Sequence, residues 1–226
     1  MTEFNLEIRN VLYSVPDGSA RRTLLKIPQL DLSAGCSVAV SGLSGAGKTT
    51  FLKLISGIVR PDSGTIRWAG TDLGALSETA RDVWRGLHVG FLFQDFRLFE
   101  GLTALENVLL PLTFRGSPGK KERDRAVELL QMHGVAPDSA ADRLSRGEMQ
   151  RTALVRVLMQ SPSVILADEP TASLDADRSA QAVESLLEAA RTLGASFIIV
   201  SHDQRVLSHF ERKLVIADGS LREVHA

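Results

Sequence analysis

The sequence has almost no cysteine and no excess of charge of either sign. Cys36 is the single cysteine among 226 residues, which excludes an intrachain disulfide and is consistent with a reducing compartment. The 27 acidic and 26 basic residues leave a formal charge of -1 at pH 7. Because a strong positive field is the usual mark of a chain that binds nucleic acid, this balance predicts no nucleic-acid partner.

Long apolar runs are also missing. No stretch reaches the about 18 consecutive apolar residues that suggest a membrane-spanning helix. The first ten residues, MTEFNLEIRN, carry charges where a signal peptide has its apolar centre. We therefore expect a cytoplasmic chain that neither crosses the membrane nor is exported by that route. With 44% hydrophobic residues, the chain is long enough to bury the core of one large domain.

Three zones follow one another along the chain. Up to about Gln94, β-like runs such as SVAVSG and HVGFLF alternate with turn signals. From 95 to 160 the apolar residues recur at helical spacing, and from 161 a β/α alternation returns with the apolar runs VILA and FIIV. Short unalternated runs are typical of strands that are covered on both faces of a parallel sheet. The expected fold class is α/β, with a helical insert between two parts of one sheet.

The strongest chemical signal is a glycine-rich segment between a predicted strand and a predicted helix. GLSGAGKT, residues 42–49, fits the phosphate-binding pattern G-x-x-x-x-G-K-[ST]. In such a loop backbone N–H groups surround the phosphates, Lys48 reaches the β and γ phosphates, and the Thr49 hydroxyl is a ligand for Mg²⁺. A glycine-rich turn is the alternative, but the flanking strand and helix favour a nucleotide site. The predicted phosphate-binding residues are Gly42, Leu43, Ser44, Gly45, Ala46, Gly47, Lys48, Thr49 and Thr50.

A second signal is the pair of acidic residues that ends the apolar run in SVILADEP. A central strand that ends in Asp168 and Glu169 delivers two carboxylates to the crevice where open α/β sheets bind ligands. Asp168 is the expected ligand of Mg²⁺, and Glu169 is the expected base for the water that attacks the γ phosphate. Strands that end in two acids are common, so this interpretation depends on the phosphate-binding loop earlier in the chain.

The segment LSRGEMQR, residues 144–151, has two compatible interpretations. Ser145 and Glu148 have the spacing of a capping box, in which each side chain satisfies a backbone N–H at a helix start. A helix start is also a site for anions, because its free N–H groups and its dipole both favour negative charge. The residue pattern alone leaves open whether this helix start also holds a phosphate.

Taken together and in order, the motifs resemble those of the ABC ATPases. GLSGAGKTT, FLFQDF, LSRGEMQR, ILADEPTASLD and IVSH look like the Walker A motif, the Q-loop, the signature motif, the Walker B motif with its D-loop, and the H-loop. The resemblance covers nearly the whole chain, and it implies ATP and Mg²⁺ as cofactors. Site residues that it implies are Gln94 as a sensor of Mg²⁺ and of the transporter partner, the signature residues Ser145, Gly147 and Glu148, the D-loop residue Asp175 between two subunits, and His202 at the γ phosphate.

The resemblance also implies an architecture. The fold is expected to be a P-loop NTPase core of the ABC type, with a mostly parallel sheet, an antiparallel β part at the N-terminus and an inserted helical subdomain. A single domain is expected over residues 1–226. Within it, 1–94 and 161–226 would form the nucleotide-binding core, and 95–160 would form the helical subdomain that carries the signature motif.

Within the family, EGLTALENVLLPL resembles the lipoprotein-release, macrolide-export and cell-division ATPases. The implied assembly is a pair of ATPase subunits, expected to be a homodimer, bound beneath an integral membrane permease at the inner face of the cell membrane. One alternative is a cell-division type ATPase that transmits mechanical signals at the membrane without moving a substrate. A soluble ABC protein of translation, repair or cluster assembly fits less well, because it usually carries a second unit or large inserts.

The sequence departs from the family pattern at two places. Val15 stands where relatives commonly have the aromatic residue that stacks on adenine, and the only tyrosine, Tyr13, lies two residues earlier. This departure predicts weak discrimination between ATP and GTP. In the signature motif, Arg146 and Glu148 stand where glycine and glutamine are usual, and the sequence leaves open whether Arg146 faces phosphate or solvent.

Overall fold

A sheet of ten strands organises the fold. A computed structural model describes residues 4–18, 20–172 and 176–224. The strands are β1 (Leu6–Asp17), β2 (Ala20–Leu32), β3 (Ser37–Gly42), β4 (Ser63–Trp68), β5 (Thr71–Asp72), β6 (Val89–Leu92), β7 (Val164–Asp168), β8 (Ser196–Val200), β9 (Arg212–Ala217) and β10 (Ser220–Val224). Their order across the sheet is β5-β4-β1-β2-β10-β9-β3-β8-β7-β6.

The sheet has a parallel half and an antiparallel half. Strands β9, β3, β8, β7 and β6 are parallel neighbours, whereas β1, β2, β4 and β5 pair in antiparallel fashion. All five residues of β7 and of β8 are buried, as the unalternated runs VILA and FIIV predict for strands that are covered on both faces. The predicted α/β fold class, with its antiparallel N-terminal part, is confirmed.

Seven helices accompany the strands among the described residues. They are α1 (Lys48–Ile55), α2 (Glu78–His88), α3 (Ala104–Thr113), α4 (Lys120–Met132), α5 (Arg146–Gln160), α6 (Ala176–Leu193) and α7 (Gln204–Leu207). In the part of the chain that the structure describes, no helix combines the length and the apolar character needed to cross a bilayer.

Helix α2 was not assigned by the sequence pattern. It begins at the cap residue Ser77, whose hydroxyl accepts a hydrogen bond from the Ala80 N–H at 3.2 Å. Its buried residues are Trp84 and, unusually, Arg81. The segment does have apolar residues at helical spacing, Ala80, Val83, Trp84 and Leu87, so a helix signal is present between the β-like runs and was not assigned.

The segment predicted to be helical, 95–160, contains α3, α4 and α5. Ten buried apolar side chains from these helices and their connections form one cluster, separate from the two clusters that line the sheet. Helix α5 is shared, because Val155 packs in the helical cluster while Ala153 and Val157 pack beneath the sheet. The division of the chain into a core of 1–94 and 161–226 and a helical subdomain of 95–160 stays a prediction, because α5 packs in both clusters.

One buried polar side chain ties this helical segment to the chain that follows β6. Asn107, in α3, has no exposed surface. Its Oδ1 accepts a hydrogen bond from the Phe99 N–H at 2.7 Å, and its Nδ2 donates to the carbonyls of Phe99 and Thr103 at 3.2 and 3.0 Å. Through these hydrogen bonds, Asn107 holds the segment between β6 and α3 in place against α3.

We expect Asn107→Leu to lower the free energy of unfolding by about 1–3 kcal/mol, because leucine removes the acceptor of the partly buried Phe99 N–H. Urea denaturation measures this loss. Gln131→Leu, at an exposed position of α4, is the control and should change stability by less than about 0.5 kcal/mol. Equal stabilities for the two variants would contradict the role of Asn107.

Candidate functional site

The glycine-rich loop joins β3 to α1 and is packed closely against its surroundings. Gly42 has φ 152°, and a Cβ there would lie 2.4 Å from the Ile216 carbonyl oxygen of β9. Gly47 has φ 103°, and a Cβ there would lie 3.0 Å from Leu25 Cδ2 of β2. Side chains at these two positions would clash or strain the backbone, so the glycines are needed for the path of the loop.

The loop ends in a helix start that is arranged to receive an anion. Gly47 is the N-cap of α1 and offers no side chain to its first-turn N–H groups, which leaves these donors and the positive end of the helix dipole free for a ligand. Lys48 Nζ folds back over the loop and donates to the carbonyls of Gly42 and Leu43 at 2.9 and 3.1 Å. The lysine is therefore positioned at the mouth of the loop, where phosphate oxygens can replace the two carbonyls.

A buried carboxylate stands beside the loop. Asp168 ends β7 with only 8% of its surface exposed. Burial raises the pKa of Asp168 above its ordinary value and the neighbouring Glu169 raises it further, while a hydrogen bond from the Thr49 side chain and the charges of Lys48 and Lys53 act in the opposite direction. The surrounding protein groups therefore stabilise the charged form of the Asp168 carboxylate only in part.

This donor set fits Mg²⁺. The Asp168 carboxylate and the Thr49 hydroxyl supply hard oxygen ligands next to the phosphate loop, and a divalent cation offsets the charge that burial disfavours. Within the described ranges, no group of three or more His, Cys, Asp or Glu side chains is arranged to hold a metal ion by itself. Mg²⁺ is usually bound by one or two protein ligands together with substrate phosphates and water.

Next to Asp168, a carboxylate and an imidazole form a hydrogen-bonded pair. His202 Nδ1 lies 2.8 Å from Glu169 Oε1, and the two side chains are 70% and 13% exposed respectively. Glu169 has φ 47°, which is uncommon for a residue other than glycine. Its N–H donates to the Val200 carbonyl of β8 at 3.0 Å, so the neighbouring strand holds the backbone in this conformation.

The two remaining residues that the resemblance assigned to the nucleotide have different outcomes. Gln94 lies two residues beyond the end of β6, a strand parallel to β7, so it emerges at the same edge of the sheet as Asp168. Its side chain is exposed. The predicted D-loop residue, Asp175, lies outside the described residues.

The signature segment forms the capping box that the sequence indicated. Ser145 is the N-cap of α5, and its hydroxyl and its N–H donate to Glu148 Oε2 at 2.6 and 2.9 Å. The hydrogen bonds from Ser145 hold the pKa of Glu148 below its ordinary value. Arg146 and Gly147 form the first turn of the helix, and Arg146 is exposed to solvent.

Gln150 and Arg156 of α5 link this helix to the rest of the site. The sequence pattern does not mark either residue as functional. Gln150 Nε2 donates to the Pro170 carbonyl, directly after Glu169, at 3.1 Å. Arg156 donates to the carbonyls of Phe96 and Arg97 at 2.6 and 2.7 Å. Burial lowers the pKa of Arg156 to about 10. Only the folded chain identifies these links, because the accepting groups are backbone carbonyls far away in sequence.

The assembled geometry defines a class of protein, a P-loop nucleotide-binding protein with two acidic residues at the end of a central strand. Comparison with known proteins identifies the family. A family model described as "ABC transporter" matches residues 25–172. The chain belongs to the ABC transporter family as an ATP-binding cassette of the ATPase class, and the resemblance stated from the sequence is confirmed.

The relatives fall into the predicted group. The chain is 35% identical over 223 residues to the lipoprotein-releasing system ATP-binding protein LolD of Legionella pneumophila (strain Paris), covering 98% of each chain. It is 39% identical over 218 residues to the macrolide export ATP-binding/permease protein MacB of Salmonella choleraesuis (strain SC-B67). That match covers 96% of this chain but only 34% of the MacB protein, so the chain spans about a third of the length of its MacB relatives.

A solved structure agrees with the fold. The dimeric structure of a post-hydrolysis state of the ATP-binding cassette MJ0796, bound to ADP and Pi, aligns with a TM-score of 0.87 at 33% identity. The alignment covers 97% of this chain and 98% of that one. At this identity and coverage the neighbour supports the family as well as the fold.

The raised pKa of Asp168 predicts that this residue weakens the fold. Above its folded-state pKa the carboxylate is charged and buried, whereas below its ordinary value of 3.8 it is protonated in both the folded and unfolded states. Burial favours the protonated form of Asp168. The folded state therefore loses stability as the pH rises through the folded-state pKa of this residue. We expect Asp168→Asn, free of nucleotide and Mg²⁺, to be more stable than the parent chain at pH 7.5.

Urea denaturation at several pH values measures the difference between the two chains. The gain in free energy of unfolding should shrink toward zero below about pH 4. Asp142→Asn, at an exposed position, serves as the control and should show no such gain. A variant that is less stable than the parent at pH 7.5 would contradict the burial argument.

Proposed function

We propose that this chain binds ATP and Mg²⁺ at the loop formed by residues 42–49 and hydrolyses the γ phosphate. The observation that supports the proposal is the convergence of Lys48, the Asp168 and Thr49 oxygens, and the Glu169–His202 pair at one edge of the parallel strands. This edge is where open α/β sheets bind ligands.

The phosphates would be held largely by the loop. Its backbone N–H groups and the uncapped start of α1 bind phosphate oxygens, with Gly45, Ala46 and Thr50 among the contacts, and Lys48 exchanges its two carbonyl partners for the β and γ phosphates. Bound Mg²⁺ would supply positive charge beside the phosphates, with Thr49 and Asp168 as its protein ligands and Gln94 nearby.

Glu169 would act on the attacking water. Its carboxylate accepts the proton as the water oxygen approaches phosphorus. His202, in hydrogen-bond contact with Oε1 at 2.8 Å, orients the carboxylate and, being 70% exposed, presents its ring to the γ phosphate. Only 13% of the Glu169 side chain is exposed, which keeps its carboxylate close to the loop. The ring of its partner, His202, reaches outward.

A second subunit would complete the site. Within the described chain, the Ser145 side chain forms hydrogen bonds with Glu148. In a head-to-tail homodimer, Ser145, Gly147 and Glu148 of one subunit cover the ATP of the other, with Asp175 near the interface. The dimeric state of the MJ0796 cassette supports pairing of two such subunits.

Each subunit would also bind an integral membrane permease. Four exposed apolar side chains lie on neighbouring elements: Val83 and Leu87 on α2, Phe99 before α3 and Phe114 at its end. Arg115 joins the two helices by donating to the Gly86 carbonyl. We propose that this apolar surface receives a cytoplasmic segment of the permease and so holds the chain at the inner face of the membrane.

The relatives support a transporter but leave a second function in view. LolD is named for lipoprotein release and MacB for macrolide export, which favours an ATPase that drives movement of a substrate. An ATPase that transmits mechanical force in cell division has the same catalytic geometry. A transport assay in vesicles reconstituted with the permease separates the two functions, because only the first moves a solute or a lipid-linked cargo.

We expect Glu169→Gln to bind ATP as tightly as the parent chain while its turnover falls by roughly a hundredfold or more, because the amide keeps the shape but cannot accept the proton. The trapped ATP should make this variant dimeric in gel filtration, and Ser145→Ala added to it should weaken the dimer. Lys48→Ala should lose ATP affinity in calorimetry. Turnover at the parent rate by Glu169→Gln would exclude Glu169 as the base.

A charged substitution at an exposed apolar position tests the proposed permease surface. Phe114 is 85% exposed, so Phe114→Asp should leave the ATPase rate of the isolated subunit unchanged within about twofold, since surface substitutions rarely disturb a fold. Co-purification with the permease should be lost, because a buried charge is costly in an apolar contact. Met132→Asp, at another exposed apolar position, should still co-purify. Equal recovery for both variants would argue against this surface.

A further inference from the structure

A cavity of about 220 Å³ lies between α5 and α6. Its apolar lining includes Leu92 at the end of β6, Leu154 of α5 and Leu186 of α6, which are all more than nine-tenths buried. Gln181 and Ser185 of α6 also line it and are exposed, so the cavity opens to solvent along α6. Because pockets for drug-sized ligands have roughly 300–1,000 Å³, this cavity has room for a smaller molecule.

A cation with an unused donor lines the cavity. Arg151 of α5 has a buried Nε that finds no hydrogen-bond partner in the part of the chain that the structure describes. Its Nη1 lies 3.2 Å from the position that a Cβ would occupy on Gly147, which also lines the cavity. The guanidinium group therefore lies over the first turn of α5. A buried donor without a partner costs free energy, and an anion placed against it removes that cost.

The neighbouring titratable groups leave the charge of Arg151 available. The charge of Arg151 helps to lower the pKa of Glu148, but that carboxylate accepts its hydrogen bonds from Ser145, at 2.6 and 2.9 Å. His133, at the end of α4, also lines the cavity. Burial lowers the pKa of His133, and the charge of Arg151 acts in the same direction. The imidazole ring is therefore neutral near pH 7.5, and it can donate an N–H without adding charge.

We propose that this cavity is a regulatory site for a small monocarboxylate with an apolar body. The planar fork of the Arg151 guanidinium matches a carboxylate group, which it can bind through two parallel hydrogen bonds. The apolar body would displace water from the leucine side chains at the opposite wall. A phosphate group fits less well because it brings a second negative charge, and among the described lining residues Arg151 is the one cation at neutral pH.

The position of the cavity gives an occupant its effect. One wall belongs to α5, which begins at the signature segment, and another includes Pro170, which directly follows Glu169. The Gln150 side chain joins these two walls through its hydrogen bond to the Pro170 carbonyl. A ligand that fits the cavity in this arrangement favours it over any in which α5 has shifted relative to α6. In the proposed cycle the signature segment moves onto the partner's ATP, so an occupant should slow hydrolysis. This regulatory part rests on the proposed function, whereas binding does not.

The binding test is calorimetry with sodium octanoate and the nucleotide-free subunit at pH 7.5. The parent chain should bind octanoate with a Kd of about 1 mM or tighter. Octanamide keeps the apolar body but not the charge, and acetate keeps the charge but not the apolar body. Each should bind at least about tenfold more weakly than octanoate.

Two variants place the binding in the cavity. Arg151→Gln should lower the affinity for octanoate by about tenfold or more, because the charged donors are lost, whereas Arg123→Gln, at an exposed position of α4, should not. Ala182→Phe adds a ring to a residue that lines the cavity and should abolish binding while every charge is kept. Glu184→Phe, at an exposed position of α6 outside the lining, is its control and should bind octanoate like the parent chain. Thermal unfolding verifies that each variant is folded.

Binding of octanoate by Ala182→Phe as tightly as by the parent chain would overturn the site. Octanamide that binds as tightly as octanoate would overturn the carboxylate as its ligand, and a parent chain that binds no octanoate at millimolar concentration would overturn both.

The regulatory role is tested by the ATPase rate. Saturating octanoate should lower the rate of the parent chain by about twofold or more and leave Ala182→Phe at its own rate without octanoate. Octanoate that binds the cavity and leaves the parent rate unchanged would overturn the regulatory role. A parent chain that hydrolyses no ATP even without octanoate would instead reject the proposed function, and the calorimetry would still decide whether the cavity binds a carboxylate.

Discussion

The parallel register of three central strands is the constraint on which the site depends. Val40 of β3 and Asp168 of β7 both pair with Val200 of β8, so the three residues form one row across the sheet. Strands lie about 4.8 Å apart, and the row therefore spans about 10 Å. The phosphate loop begins two residues after this row and Glu169 one residue after it, which brings phosphate donors and carboxylates to one edge although β8 lies between β3 and β7 in the sheet.

Hydrogen bonds to backbone carbonyls connect the signature helix to this edge. Helix α5 begins at Ser145, and further along it Gln150 and Arg156 donate to carbonyls that follow Glu169 and β6 respectively. Arg156 is a buried cation whose partners are neutral carbonyls, so any shift of the helix that breaks these bonds leaves a charge without compensation. A change at the nucleotide edge and a change in the position of the signature helix are thus physically coupled.

Much of the fold and many of the site candidates were predictable, for reasons visible in particular elements. Strands β7 and β8 have apolar runs that only a doubly covered strand explains, and the loop at 42–49 combines a motif with the flanking elements that it requires. Helix α2 was missed although its apolar residues Ala80, Val83, Trp84 and Leu87 recur at helical spacing between two β-like runs. Asn107 and Arg156 were missed because their partners are backbone groups, which leave no mark in the residue pattern.

The sequence by itself determined which chemical groups are present and their order along the chain: a lysine in a glycine-rich loop, two acids after an apolar run, and a capped helix start between them. These are local features, since each depends on residues within a few positions of one another. The tertiary structure alone decided which groups meet. It put His202 beside Glu169 and buried Asp168 enough to raise its pKa. Strand register and burial arise from contacts between distant segments, and no local pattern specifies them.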